Sequence, residues 1–533
     1  MNLGGHGAKI ARTLCVGLAL VHFGALLWVF AHRIAYPYDL EWMEGGMLCH
    51  SLRLLEGKPI YDQPSVEFIP YLYTPLYPAL VALAAKLFGL RYSVARAISI
   101  LSFAGATALG YRFAADKGHS RAAALVAMAI PWAAWPLTGT FYDLARADSL
   151  WLLLTTAGLL ALYWGARDEV GAPRRFRELR GHALVSLSAG LLVAAFFTKQ
   201  IAAPMMVAGG LALVVLNYKL VPTFGGVLAL VGLPSLYLEN RATGGWFWRY
   251  IFELHQGHDF LARRAFVETP LALALIVGPA ILLVPWALVR RRSPSLLYAA
   301  WLALAGVGTA ALASGTQWAV TNAYIPGVFF PSLAIALAAA RLLPTPRWVA
   351  RAEGRKQAPR IRAVFIYGAI ALSLALKLPS LDGHRDDAFN FLGQARLVHR
   401  FDLRRFLPTR TDRQAGDALV DRLRAAPGEV MIPFHPFYGH LAGKRTWVHQ
   451  IGVMDVVRAG LGMPLGLGDA IRGRHFALIV LDDKIEGKWT YWPGLQDFYE
   501  LSDHVAGPRV YSGAMTVPDR ALVPRGSLER REP

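Results

Sequence analysis

Long apolar runs separated by short basic loops dominate the first ~380 residues. Runs at roughly 13–32, 96–114, 121–138, 149–165, 182–198, 201–217, 222–238, 270–289, 296–313, 322–340 and 363–379 each suit a helix crossing about 30 Å of hydrocarbon. One further stretch, Tyr71–Leu90, follows Pro70 and contains Pro75 and Pro78. Its path sets the orientation of everything after it. If it crosses, the loops with Arg174, Arg175, Arg177 and Arg180, with Arg290, Arg291 and Arg292, and with Arg347, Arg351, Arg355, Lys356, Arg360 and Arg362 all face outward. If it does not, they face the cytoplasm with Lys9, Arg12, Arg112, Lys117 and Arg121, as the positive-inside rule requires. Tyr71–Leu90 is therefore expected to be an interfacial or re-entrant helix. That leaves about eleven crossings, with the N-terminus inside and the C-terminus outside.

The pattern changes near Asp382, where apolar runs shorten. Asp417–Ala425 reads as an amphipathic helix, and Glu429–Phe434 and His475–Leu481 read as short buried strands. The expected fold is mainly α. A polytopic membrane helix bundle over residues 1–380, with a long first outer loop at 33–95, precedes a small extracytoplasmic α/β domain at 381–533.

Composition agrees. The chain has 533 residues, 55% hydrophobic and 17% charged, with a mean hydropathy of +0.37. Its net charge of +19 would point to nucleic acid in a soluble protein. Here the arginines lie in loops between spans, so nucleic acid is not an expected partner. Cys15 and Cys49 imply no disulfide framework. The N-terminus, with Lys9 and Arg12 before an apolar run to Phe30, reads as a retained signal anchor of a multi-pass bacterial inner-membrane protein.

Candidate chemistry gathers on the outer face. Asp39, Glu41 and Glu44 follow the first span, among Tyr36, Tyr38 and Trp42. If this stretch is helical, Glu41 and Glu44 share a face. Crowded carboxylates beside hydrocarbon raise one another's pKa, which suits a general base acting on a hydroxyl. A second outer loop holds Asp143, Arg146 and Asp148; Asp148 is placed to cap the next helix and Arg146 to pair locally. Lys199 ends a span on the outer side, where it either snorkels or meets a lipid phosphate. A third loop sets Arg241, Arg249, His255, His258, Arg263 and Arg264 among Trp246, Phe247, Trp248 and Tyr250, a mixture suited to a phosphorylated lipid or a sugar. Further on, Asp482-Asp483 reads as a pair of solvated turn carboxylates. His435, His440 and His449 read as surface histidines, since their spacing fits no standard metal site.

Together these features resemble the GT-C superfamily of integral-membrane glycosyltransferases, in particular protein O-mannosyltransferases and lipid A aminoarabinose transferases. The resemblance runs from about residue 13 to 340. Its parts are Glu44-Gly45, Leu54-Leu55-Glu56-Gly57, Tyr73-Thr-Pro-Leu, Leu87-Phe-Gly, Arg96, Arg146-Ala-Asp148, Thr198-Lys199, Trp246-Phe-Trp-Arg-Tyr and Asn322-Ala-Tyr324-Ile-Pro. It implies a catalytic base in the first loop, falling on Glu44 with Asp39 or Glu41, supported by Asp148, with Lys199 on the lipid phosphate. It also implies a polyprenyl-phosphate sugar donor, a hydroxyl acceptor and inversion at the anomeric carbon. Some members need a divalent metal and others do not. Met43-Glu44 stands where the family has an adjacent Asp-Glu, so the base stays open among the three acids. Arg146, Asp143, Arg249, His255, Asn322 and Tyr324 are the remaining expected substrate contacts.

Two other classes compete. A lipid or solute transporter would place ionisable groups near the midplane and show paired repeats. A non-catalytic envelope scaffold would leave the first-loop acids without a purpose.

Overall fold

The computed structural model describes residues 3–167, 174–343, 361–380, 400–483, 492, 494–510, 512–513 and 515–527. The basic residues Arg347, Arg351, Arg355, Lys356 and Arg360, and the expected junction near Asp382, lie outside the described residues.

Helix α1 (Leu3–Arg33) leads into a turn that carries the first-loop acids. Then come α2 (Glu44–Leu55), α3 (Leu76–Phe88), α4 (Tyr92–Gly118), α5 (Arg121–Ala133), α6 (Asp148–Ala166), α7 (Arg174–Thr198), α8 (Ala202–Asn217), α9 (Val221–Val227) and α10 (Leu233–Ala242). Ser120 starts α5 by accepting from the Ala123 amide, and Gly89, at φ +77°, closes α3. With 13 residues each, α3 and α5 are about 20 Å long, short of the roughly 30 Å hydrocarbon core, and α5 is extended by a 3-10 turn at Trp135–Thr138. Among the described residues, seven helices are long and apolar enough to span a membrane, or eight if one bent pair counts as a span.

The apolar run Ala202–Ala242 folds back on itself. Asn217 leaves helical geometry at φ −164° and ψ 86°. Beyond it Leu220 lies beside Gly181 and Gly232 beside Val193, so α9 and α10 run in the same sense as α7. The expected span 270–289 is not straight. Arg264–Val277 and Pro279–Arg290 meet at 94° around Gly278. Gly278 adopts φ +77°, and an added Cβ would sit 2.8 Å from the Ser373 hydroxyl oxygen, which accepts from the Ala280 amide. Helix Ile325–Leu342 is buried along nearly its whole length, packed by α4, α5 and helix Pro294–Gly315. Its Ala336–Ala340 run is mostly small residues, which allow close helix approach.

Because successive long helices alternate in direction, one end of the bundle collects the end of α1, the starts of α4 and α6, the end of α7 and the residues before Ile325. The first loop and the C-terminal region both cover this end. Strand β1 (Leu378–Ser380) pairs in parallel with β2 (Arg400–Asp402). A four-stranded sheet has the order β3 (Glu429–Met431), β4 (Phe476–Asp482), β6 (Pro518–Pro524), β5 (Tyr499–His504). β3 and β4 are parallel; β4, β6 and β5 are antiparallel. The amphipathic helix begins earlier than expected, at Arg410, because Thr409 and Asp412 form a reciprocal cap.

Candidate active site at one end of the bundle

Glu44 is the first residue of α2, and Glu41 lies in the turn before it, so the two do not share a helical face. The turn is tied to its own carboxylates. The amide of Leu40 donates to Glu44 (2.7 Å), that of Met43 to Glu41 (3.2 Å) and that of Gly45 to Asp39 (2.8 Å). Each acid then takes a different partner.

Glu44 is fully buried and forms a two-pronged pair with Arg96, at 3.0 and 2.6 Å. The Ala145 amide also donates to it, at 2.6 Å. Burial alone would raise its pKa, but the guanidinium and these amides hold it below the usual carboxylate value. Asp39 accepts from His435 at 2.8 Å; burial raises its pKa, with the imidazole opposing.

Glu41 pairs with Arg146 through Oε2 at 2.7 Å. Its other oxygen, Oε1, is buried without a hydrogen-bond partner. Burial, only partly offset by Arg146, raises this carboxyl to about 7.

A chain of contacts continues from Glu41. Arg146 donates to the Tyr73 hydroxyl at 2.9 Å, and the Tyr73 ring lies between Arg146 and Lys199. Lys199 bonds Asp148 at 2.7 Å, and Asn322 donates to the same oxygen at 3.0 Å. Asp148 is thus an ion-pair partner rather than a helix cap, and Ala147 occupies the cap position. Lys199 does not snorkel outward: its side chain is 14% exposed. The second oxygen of Asp148 has no partner. Asp143 pairs with Arg33 at 2.6 Å, not with Arg146.

The remaining expected contacts divide. His255 lies at the margin, 2.9 Å from the Gln200 amide next to Lys199. Tyr324 is buried near Asn322, with its hydroxyl toward Thr269 and Ser314. Arg249 is exposed and stacked over Trp246, away from the acids.

Two readings of the C-terminal region are corrected. His435 and His449 are buried, and so is Asp482, the last residue of β4. His435 bonds Asp39 with one ring nitrogen and Asp482 (2.9 Å) with the other. Burial disfavours the imidazolium, but the flanking Asp482 and Asp39 hold it charged, its pKa raised to about 10. Ser512 accepts from Arg33 at 2.8 Å, and Gly513, at φ +52°, packs so close to Glu41 that a Cβ would sit 2.8 Å from its Cγ.

Arg33 is not among the expected site residues, and Arg96 figures only as part of the family resemblance. Arg33 closes a span on the same side as Lys199, and Arg96 lies within a span; each position is a signal for an ionisable group with a built partner. The donor set does not fit a divalent cation. Among the described residues no group of three His, Cys, Asp or Glu side chains is arranged to hold a metal ion: both ring nitrogens of His435 are taken by Asp39 and Asp482, and each first-loop acid already faces a cationic side chain.

This arrangement lies within a known architecture. The chain is similar to ArnT from Cupriavidus metallidurans in the apo state, at 14% identity and a TM-score of 0.58, covering 95% of this chain and 98% of ArnT. The same ArnT bound to undecaprenyl phosphate matches at 13% identity and a TM-score of 0.57, covering 96% and 99%. The chain has the fold of ArnT. The mainly α, multi-span helix bundle expected from the sequence is thus a fold this chain shares with ArnT. An oligosaccharyltransferase, AglB from Archaeoglobus fulgidus, aligns at 13% identity and a TM-score of 0.48, covering 98% of this chain and 76% of AglB. No protein family and no curated protein matches the chain by sequence.

Proposed function

We propose that this protein is a bacterial inner-membrane glycosyltransferase that moves a sugar from a polyprenyl-phosphate donor to a hydroxyl acceptor at the outer face of the membrane. The observation that carries the reading is the buried, unpartnered Oε1 of Glu41, held beside Arg146 and linked through Tyr73 to Lys199. Glu41 takes the acceptor proton, and the acceptor oxygen attacks the anomeric carbon. The bond from that carbon to the phosphate oxygen breaks, and the lipid phosphate leaves with the electron pair. Lys199 and Arg146 are placed to stabilise it. One direct displacement inverts the anomeric centre. Glu44, the better match to the family pattern, serves as a structural anchor in this reading, because Arg96 and two amides already hold both its oxygens. ArnT in complex with undecaprenyl phosphate offers a precedent for the donor carrier. A transporter is less well supported, since the ionisable cluster gathers at one end of the bundle rather than at its middle. Mass spectrometry of lipids and envelope glycans from a deletion strain tests the reading: one glycosyl residue is expected to be missing, and an unchanged glycan profile overturns it.

Three expectations follow from the site. A base must be ionised, so kcat/KM should rise with pH through about 7, the value to which Glu41 is raised. Activity already at its plateau at pH 5 would remove Glu41 from the role. Lys199→Ala should raise the donor KM by about 10–100-fold, the equivalent of one charge-assisted phosphate contact; unchanged donor dependence would leave Lys199 only its pair with Asp148. Cysteine at exposed Asp421 should react with a membrane-impermeant thiol reagent in intact cells, and cysteine at exposed Arg292 only after permeabilisation. The reverse pattern would put the site on the cytoplasmic side.

A further inference from the structure

The Asp39–His435–Asp482 bridge joins parts of the chain that are far apart in sequence. Asp39 sits in the first loop, His435 follows β3, and Asp482 ends β4. All three side chains are at most 1% exposed. His435 therefore gives both ring nitrogens to carboxylates, one on each side of the junction between the loop and the C-terminal region. Packing reinforces the junction. The Tyr38 ring stacks on Tyr438 with centroids 5.3 Å apart, and Trp42 stacks on Phe434 at 5.4 Å.

Asp39 holds the turn by its other oxygen, which accepts from the Gly45 amide. Glu41 lies between these two fixed points. A carboxylate gripped at Asp39 and an amide gripped at Gly45 leave little freedom for the backbone that aims Glu41. Misplacing a reacting group by about 1 Å can cost on the order of 100-fold in rate.

We propose that His435 is a positioning residue, through which the C-terminal region locks the first-loop turn and aims the Glu41 carboxylate. This rests on the reading of Glu41 as the base, so the test has one arm that does not need activity. Removing His435 takes away the cation that Asp39 and Asp482 share, and Asp39 loses its hold on the turn. The loop should loosen without any loss of the groups that meet the donor phosphate.

The experiment uses the purified full chain with His435→Gly, and Asp482→Asn as a milder second variant. Hydrogen exchange at the Leu40, Met43 and Gly45 amides should speed up in both, more in His435→Gly. Single-turnover transfer should fall by about 10–100-fold in His435→Gly, with the donor KM unchanged. Added imidazole, which refills the vacated space, should restore part of the rate and of the protection. Should His435→Gly fail to fold, Asp482→Asn carries the test by the same exchange and rate measurements. Wild-type exchange and wild-type rate in the folded variants overturn the proposal. A chain that transfers no sugar in its native form overturns the glycosyltransferase reading instead, and the exchange arm still decides whether His435 locks the loop.

Discussion

Glu41→Gln should lower single-turnover glycosyl transfer by about 10²–10⁴-fold, the range lost with a general base, while the protein stays folded and still binds donor. The amide is nearly isosteric with the carboxylate and keeps an oxygen that can accept from Arg146 and the Met43 amide. What it lacks is the ability to take a proton. The substitution takes the paired carboxylate from buried Arg146, but Asp148 remains near that guanidinium. The lost carboxyl is also one that burial already pushes toward neutrality, so folding should suffer less than in Glu44→Gln. Asp39→Asn gives a useful contrast. Its carboxylate touches the Gly45 amide and His435, so its loss should loosen the turn and reduce the rate less steeply. The measurement is single-turnover transfer from a synthetic polyprenyl-phosphate sugar, with donor binding followed separately. A near-wild-type rate in Glu41→Gln ends Glu41's claim to be the base. If Asp39→Asn and Glu44→Gln were also active, no first-loop carboxylate would be the base.

Most of the bundle is legible in the sequence because most spans are long apolar runs, but not all eleven expected crossings are matched. Among the described residues seven or eight helices are long enough, and the expected spans 121–138 and 363–379 hold helices of only 13 and 15 residues. The expected spans 201–217 and 222–238 appear as α8 and α9–α10, separated at Asn217. The bend at Gly278 is not legible, since an apolar run reads the same whether it is straight or folded through 94°. The site is legible by region and not by role. Asp39, Glu41, Glu44, Arg146, Asp148, Lys199 and Asn322 do converge. Which acid is free is fixed by partners on other elements: Arg96 on α4 for Glu44, Arg146 before α6 for Glu41, and His435 after β3 for Asp39. Three acids within six residues look alike until those partners are known. The pairing of His435 with Asp482 is not legible in the sequence. A histidine and a turn aspartate 47 residues apart carry no local mark that they will be buried against each other and against the first loop.

Arg96→Lys should destabilise the protein by about 3–5 kcal/mol, the scale expected when a buried ion pair is disrupted, although it keeps the charge. All five guanidinium hydrogens of Arg96 are used. Nε and one Nη2 hydrogen bond Glu44, the second Nη2 hydrogen bonds the Tyr38 carbonyl at 2.6 Å, and the two Nη1 hydrogens bond the carbonyls of Arg33 (3.1 Å) and Tyr36 (2.6 Å). Arg96 thus splints the turn leaving α1 and fixes Glu44 at the start of α2 in one act. Lysine has three donors on a point charge and cannot reproduce the planar fork. At least two of these five contacts would be lost in a place where Arg96 and Glu44 are fully buried. A buried acceptor without a donor costs about 1–3 kcal/mol. Glu44→Gln should fall in the same range for a related reason, because the amide leaves the Arg96 charge buried without a counterion. The two variants together separate stability from chemistry. Both should lower the unfolding midpoint of the detergent-solubilised protein well beyond Glu41→Gln, and the fraction that remains folded should retain measurable transfer. A Glu44→Gln protein with wild-type stability and no transfer would instead make Glu44 the base and Glu41 its neighbour.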